Sequence, residues 1–310
     1  MQQMEQRIIP LRPIVQNQSA IKDFQNCKRL WAWKRRENLE PVGRRSAPEI
    51  GTATHKGLGI LHSGGSLDEA LAAARAKLTE RAGPATRFED KDLDEALEVV
   101  DRLLPEYIAH WTAAGDLWTP LNQEIEFFVE VGEGSGAWLR GRADNLSTYK
   151  DGLVLVDYKT AGRMDPRDLL KYELDIQLSA YIYGLSKQLT EDSLKRGGQP
   201  VLIRGAFIDV LVKTKIPQFA REFFGRTAAE LEEFEGEFIE IVSDIRSRLD
   251  RVDAGEDWKT VFYKNTEHCF RFGTCPFRDV CLKDTPTRRA LYNHREPDYV
   301  DAAQAELDAA

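Results

Sequence analysis

The sequence has no apolar run that approaches the length of a membrane span. Its start, MQQMEQR, is polar and lacks the apolar stretch of a secretory leader. The two absences set aside a membrane partner and make a cytoplasmic location the expectation. Cysteine is scarce, at four residues, and in that compartment ligands or buried thiols are expected before disulfides. There is no C-x₂₋₄-C pair of the kind zinc sites use. There is also no G-x-x-x-x-G-K-[ST] phosphate loop, no internal repeat and no low-complexity tract.

What is present fits one large domain or two small ones, long enough to bury a substantial core. Apolar and charged fractions are those of an ordinary globular protein. The net charge of −8 weighs mildly against nucleic acid, but its distribution softens that. Residues 22–45 carry Lys22, Lys28, Arg29, Lys34, Arg35, Arg36, Arg44 and Arg45 against Asp23, Glu37 and Glu40, while the tail from Asp298 has acids and no Lys or Arg. Carboxylates of a metal site add negative charge that a bound cation offsets. The basic stretch suits either DNA contact or a solvated helix face, and local patches decide contact with phosphate.

Periodicity predicts a helix over 18–38, opening at Ser19, with Cys27 inside it. A loop over 41–48 follows, then a helix from near Gly51 that carries His55. Helices are expected over 66–82 and 90–114, the first with a Ser66/Glu69 capping box. Strands are expected over 124–131, 138–148 and 153–160, the last two flanking the turn signal Lys150-Asp151-Gly152. A helix over 175–189, a last strand over 201–212 and a long charged helix over 219–253 complete the reading. The fold class is α/β, with one central mixed sheet flanked by helices.

The stretch GRADNLSTYKDGLVLVDYKT holds the chemistry. Asp157 and Lys159 are two apart on a strand and share a face, while Tyr158 points to the other. A two-residue loop through Lys150-Asp151 or Asp151-Gly152 puts Asp144 opposite Asp157 or Lys159, on their face in either register. Two carboxylates hold a hard divalent cation, and a lysine beside it orients or deprotonates a water and offsets developing charge. The same pattern also suits an ordinary cross-strand ion pair. His55, in GTATHKGL, is either a nitrogen ligand to the same metal or a buried, hydrogen-bonded histidine. In QLSAYIYGL, Leu178, Ile182, Leu185 and Leu189 form the buried stripe, and Gln177 and Tyr181 lie four apart on a neighbouring face.

The tail HCFRFGTCPFRDVC spaces its cysteines C-x₅-C-x₅-C, with Cys27 far upstream. Cys27, Cys269, Cys275 and Cys281 suit a [4Fe–4S] cluster better than zinc; four free buried thiols are the alternative. Closing a loop of about 240 residues gives roughly 5 kcal/mol in the chain-entropy model, comparable to a domain's stability. Loss of Cys27 is then expected to remove the cluster and with it solubility or DNA binding.

The order GTATHKGL, GRADNL, VDYKT, QLSAYIYGL resembles the RecB-like branch of the PD-(D/E)XK nuclease superfamily over residues 18 to 283. The resemblance implies a restriction-endonuclease-like core. It implies His55, Asp144, Asp157 and the Tyr158 carbonyl as ligands of Mg²⁺ or Mn²⁺, Lys159 as the catalytic lysine, and Gln177 and Tyr181 as the motif that follows. Glu124 is a further candidate ligand outside the matched motifs. The cysteines resemble those of the iron–sulfur members: AddB nuclease domains and CRISPR-associated or phage exonucleases. The first C-terminal spacing is longer than the C-x₂-C common in AddB. The implied activity is a DNA nuclease, an exonuclease acting on ends or single strands in recombination, replication or repair, with a recombination or replication partner protein. A DNA-end-binding module with little activity is the alternative. With no helicase motif, a phage or accessory nuclease is expected rather than a helicase fusion. The expected division is an N-terminal helical segment over 1–50, a nuclease core over 51–218 and a C-terminal segment over 219–310, the two ends joined by the cluster.

Overall fold

A computed structural model describes residues 11–42, 46–81, 90–114, 118–165, 167–271, 273–295 and 299–308. Its strands are β1 (Ile14–Gln16), β2 (Leu39–Pro41), β3 (Thr119–Glu130), β4 (Ala137–Tyr149), β5 (Gly152–Ala161), β6 (Ile203–Val212), β7 (Gln218–Gly225) and β8 (Tyr292–His294). Its helices are α1 (Gln18–Asn26), α2 (Lys28–Trp31), α3 (Ser46–His62), α4 (Leu67–Arg81), α5 (Asp90–Ala114), α6 (Arg167–Leu170), α7 (Ile176–Lys195), α8 (Ala228–Asp253), α9 (Trp258–Val261), α10 (Arg278–Leu282), α11 (Pro286–Arg289) and α12 (Tyr299–Asp308). Among the described residues no helix is long and apolar enough to cross a membrane.

A six-stranded mixed sheet forms the middle layer. β3 lies antiparallel on one side of β4. The other side of β4 is shared: β1 runs parallel to Ala137–Leu139, and β5 runs antiparallel to Asn145–Tyr149. β5 and β6 are parallel, and β7 closes the edge antiparallel to β6. One face of the sheet packs on α1, α7 and α8 through Phe24, Leu178, Ile182, Phe234, Phe238 and Ile245. The other packs on α3, α4 and α5 through Leu58, Leu78, Val100 and Leu104, against Val154, Val156 and Phe207 of the sheet. This is the expected α/β class with a central mixed sheet; β2 and β8 form a separate two-stranded ladder.

Several sequence expectations change. The helix predicted over 18–38 is broken at Cys27, whose extended backbone (φ −162°, ψ 113°) caps α1 and starts α2; a π-helical turn over Ala32–Arg36 follows. The N-cap of α1 is Asn17, whose side chain accepts the Ala20 N–H, rather than a helix opening at Ser19. The helix predicted from 219 is a strand first: QFAREFFG is β7, and α8 begins only after Thr227, which forms a capping box with Glu230. Pro217 precedes that strand and Gly225 ends it, and its alternation is masked by charge. The capping box at Ser66 and Glu69 is present. Phe234, Phe238, Val242 and Ile245 form the buried stripe of α8.

The ends of the chain meet. β2 and β8 pair antiparallel, Leu39 opposite His294 and Pro41 opposite Tyr292. Gln304 of α12 receives the Val15 N–H and donates to the Pro13 carbonyl. Arg289 binds Glu37 at 3.0 Å and Asp284 at 2.6 Å. Arg29 donates to the carbonyls of Phe262 and Lys259.

Candidate active site

The site begins at a fork in the sheet. Between the stretch of β4 held by β1 and the stretch held by β5, residues 140–143 pair with β3 alone. The hairpin loop is Lys150–Asp151, because Tyr149 pairs with Gly152. That register sets Asp144 opposite Asp157, one step past the last ladder pair, Asn145 with Val156. The strands diverge there, and the Asp144 carboxylate accepts the Tyr158 N–H at 2.9 Å in place of a ladder bond. Across β3 the register runs from Gln123–Asn145 to Ile125–Ala143, so Glu124 faces Asp144. Glu124 takes a left-handed backbone (φ 51°) and pairs with Arg142 at 2.9 Å.

Three elements converge on the fork. α3 brings His55, whose Nδ1 lies 3.3 Å from Asp144 Oδ2. β5 brings Asp157, only 3% exposed, with Lys159 Nζ 2.7 Å from its Oδ2. α7 brings Gln177, which accepts from Lys159 at 3.2 Å and donates to Asp157 Oδ1 at 2.8 Å. Gln177 is set by the N-cap Asp175, which accepts the Gln177 N–H and pairs with Lys22 at 2.7 Å. α7 lies close to the sheet because Gly184 and Gly141 both face the Phe127 ring; a Cβ on either would come within 2.2 and 2.3 Å of it. Glu124, Arg142, Lys56, Lys77 and Thr160 line the same open cleft of about 1030 Å³ with His55, Asp144 and Lys159.

Burial disfavours charge on every group here, and the charged neighbours oppose it with different success. Burial opposes the His55 imidazolium, yet Asp144 outweighs it and His55 titrates above its ordinary range. Burial pushes Asp144 up, but His55 and the Tyr158 N–H hold it below the usual carboxylate range. At Asp157 burial prevails over Lys159, with the Asp144 charge adding to it, and the carboxyl is pushed up. Burial pulls Lys159 down, and Asp157 more than reverses that.

The set fits a hard divalent cation by chemistry: two carboxylates, the Tyr158 carbonyl and an imidazole. Asp157 Oδ2 is buried with no hydrogen-bond donor in line, since Lys159 approaches it only as an ion pair. Among the described residues no three His, Cys, Asp or Glu side chains are gathered into a ready cage. Asp144 leans on His55 instead, and Asp157 on Lys159. Tyr181, one turn after Gln177, is buried beside Phe127 and receives the Gln18 amide on its hydroxyl at 3.0 Å. The role of Asp175 escaped the sequence reading, although an Asp directly before a helix carries the N-cap signal.

Cys27, Cys275 and Cys281 border one apolar cluster, and the Cys275 N–H bonds the Cys269 carbonyl at 2.8 Å. Burial raises the thiols of Cys275 and Cys281, and Cys27 and Cys269 push both further up. Trp33 Nε1 donates to Cys281 Sγ at 3.0 Å, and the Asn265 N–H points at Cys27 Sγ at 3.3 Å. N–H groups aimed at sulfur suit thiolate ligands.

Residues 17–282 match the family model of the PD-(D/E)XK nuclease superfamily. No curated protein matches the chain. Among solved structures, a provisionally assigned exonuclease from Eubacterium rectale is 16% identical, with a TM-score of 0.47, over 98% of this chain and 99% of that chain. The protein SSO0001 is 13% identical, with a TM-score of 0.31, over 71% of this chain and 98% of that chain.

Proposed function

We propose that this chain, which belongs to the PD-(D/E)XK nuclease superfamily, is a metal-dependent deoxyribonuclease of the RecB-like, iron–sulfur type. On this reading it is an exonuclease that works on DNA ends in recombination, replication or repair, beside a partner protein of that process. The observation that carries it is the meeting of His55–Asp144 with Asp157–Lys159–Gln177 at the fork between β4 and β5.

His55, Asp144, Asp157 and the Tyr158 carbonyl would hold Mg²⁺ or Mn²⁺. Bound there, the cation supplies Lewis acidity toward the phosphodiester and makes a water acidic. The chain's own part is orientation. The Tyr158 N–H fixes Asp144. Gln177 holds the Lys159 ammonium and the Asp157 carboxylate together through its two amide atoms. Lys159 thereby presents its positive charge where a pentavalent phosphate gathers negative charge. Tyr181, from the next turn of α7, packs on Phe127 inside the core and takes the Gln18 amide on its hydroxyl. Lys56 and Lys77 on the cleft wall suit a phosphate backbone.

Cys27, Cys269, Cys275 and Cys281 would hold a [4Fe–4S] cluster with a structural role. In this arrangement residues 51–218 supply the chemistry, and the segments 1–50 and 219–310 frame it.

The test is cleavage of end-labelled linear DNA, single- and double-stranded, with Mg²⁺ or Mn²⁺. Wild-type protein is expected to degrade it, and Lys159→Ala to lower kcat by about 10²–10³-fold, the loss typical of one charge-stabilising donor. Binding without cleavage in either metal would instead mark a DNA-end-binding module.

A further inference from the structure

Behind the catalytic strand lies a buried polar network that the chemistry above leaves unused. Tyr158, between Asp157 and Lys159, sends its ring to the opposite face of the sheet. Two histidines of α3 flank that ring. His55 meets it edge-on (centroids 5.9 Å apart, 71°), and His62 stacks on it (5.6 Å, 14°). They are seven residues apart, two turns of one helix, so both rings project from the same face of α3. His62 Nε2 lies 3.2 Å from the Tyr107 hydroxyl. That hydroxyl donates to Asp209 at 2.7 Å and accepts from Arg221 Nη2 at 2.8 Å. Arg221 also binds Asp209 at 2.9 Å, and its guanidinium lies over the rings of Trp111 and Trp118 at 3.6 and 4.1 Å.

The bonding is saturated at the hub. A phenol has one proton and two lone pairs. The proton goes to Asp209, and one lone pair takes Arg221. The other is left for His62, so His62 is the donor and Nε2 carries the hydrogen. An apolar residue at 62 would fill the space against Tyr158 without fixing how α3 is seated. The hydrogen bond ties α3 to a rigid ion pair, while the stacked face of the same ring bears on Tyr158.

We propose that His62, anchored through Tyr107 to the Asp209–Arg221 pair, is a positioning residue for the cation site. It holds α3 at the level that brings His55 to Asp144, and it steadies Tyr158, whose N–H binds Asp144 and whose carbonyl would be a ligand of the cation. The proposal rests on the nuclease reading.

The test is Mn²⁺ titration by calorimetry without DNA, with DNA cleavage kinetics and thermal melts alongside. His62→Leu is expected to weaken Mn²⁺ binding and lower kcat, each by about 10–100-fold, as loss of a ligand-orienting partner does. KM for DNA is expected to stay within about twofold, because no DNA contact is removed. His62→Gln, whose amide can donate to Tyr107, should recover most of both losses. Tyr107→Phe keeps the ring and deletes the hub oxygen; it should show the same joint loss, and it decides the matter if His62→Leu fails to fold. Wild-type Mn²⁺ affinity and kcat in His62→Leu or, failing that, in Tyr107→Phe would overturn the proposal whatever the melting temperature does. A wild type that binds Mn²⁺ but cleaves no better than Lys159→Ala would overturn the nuclease reading instead.

Discussion

Asp209 and Arg221 face each other across the β6–β7 ladder, with side chains 0% and 2% exposed. Removing one member of such a pair leaves the other charge buried without its counterion. Asp209→Ala is therefore expected to destabilise the fold by about 3–5 kcal/mol, measurable by urea denaturation, and far more than truncation of the exposed Arg142–Glu124 pair. The two cases show which residues could be read from sequence. Asp144, Asp157 and Lys159 were legible because strand alternation and a two-residue loop leave little freedom in where they point. His55 and Gln177 were legible only as candidates, since a helix presents many residues to a sheet and the sequence does not say which is level with the fork. Arg221 was not legible at all, because its segment reads as the start of a charged helix, which hides its strand partner. The left-handed backbone of Glu124 was equally invisible, since nothing local calls for glycine-like geometry at a glutamate.

α7 places Gln177 through close packing rather than through capping alone. Its approach to the sheet requires Gly184 and Gly141 on either side of Phe127. Gly184→Ala is expected to push helix and ring apart at a cost of about 1–3 kcal/mol, as overpacking does. Because Gln177 lies two turns upstream on the same helix, kcat should fall as well; a thermal melt and a cleavage assay on one preparation check both. Long elements with an apolar stripe, such as α5, α7 and α8, were readable from periodicity. Strands of three residues were not: β1, β2 and β8 are too short to show alternation. The break at Cys27 was also unreadable, since the apolar periodicity continues across it while the backbone extends.

In the whole molecule, the joining of the two chain ends has supports other than cysteine. The β2–β8 ladder, the bonds of Arg29 to the Phe262 and Lys259 carbonyls, and the edge-on packing of Trp33 on Trp258 all connect them. On the proposed cluster reading, Cys27→Ala is thus expected to lose iron and visible absorption and to melt earlier, while its far-ultraviolet circular dichroism stays near that of wild type. Collapse of that spectrum would mean that the sulfurs alone hold the ends. The acidic partner in this region adds a pH signature. Arg289, with Lys259, holds the Asp284 carboxyl down at about 2. A depressed folded-state value gives stability that is full above the unfolded value and fades as pH falls through the folded one. The difference in melting temperature between wild type and Asp284→Asn should be widest near neutrality and close as pH drops from about 4 to 2. The ladder between β2 and β8 also has a consequence in time. A ribosome adding about 5–20 residues per second delivers β8 on the order of 10–50 seconds after β2. Leu30 and Trp33 likewise emerge well before the Phe277 and Trp258 that later cover them, and the nascent chain must carry that apolar surface while the whole central sheet and α8 are made.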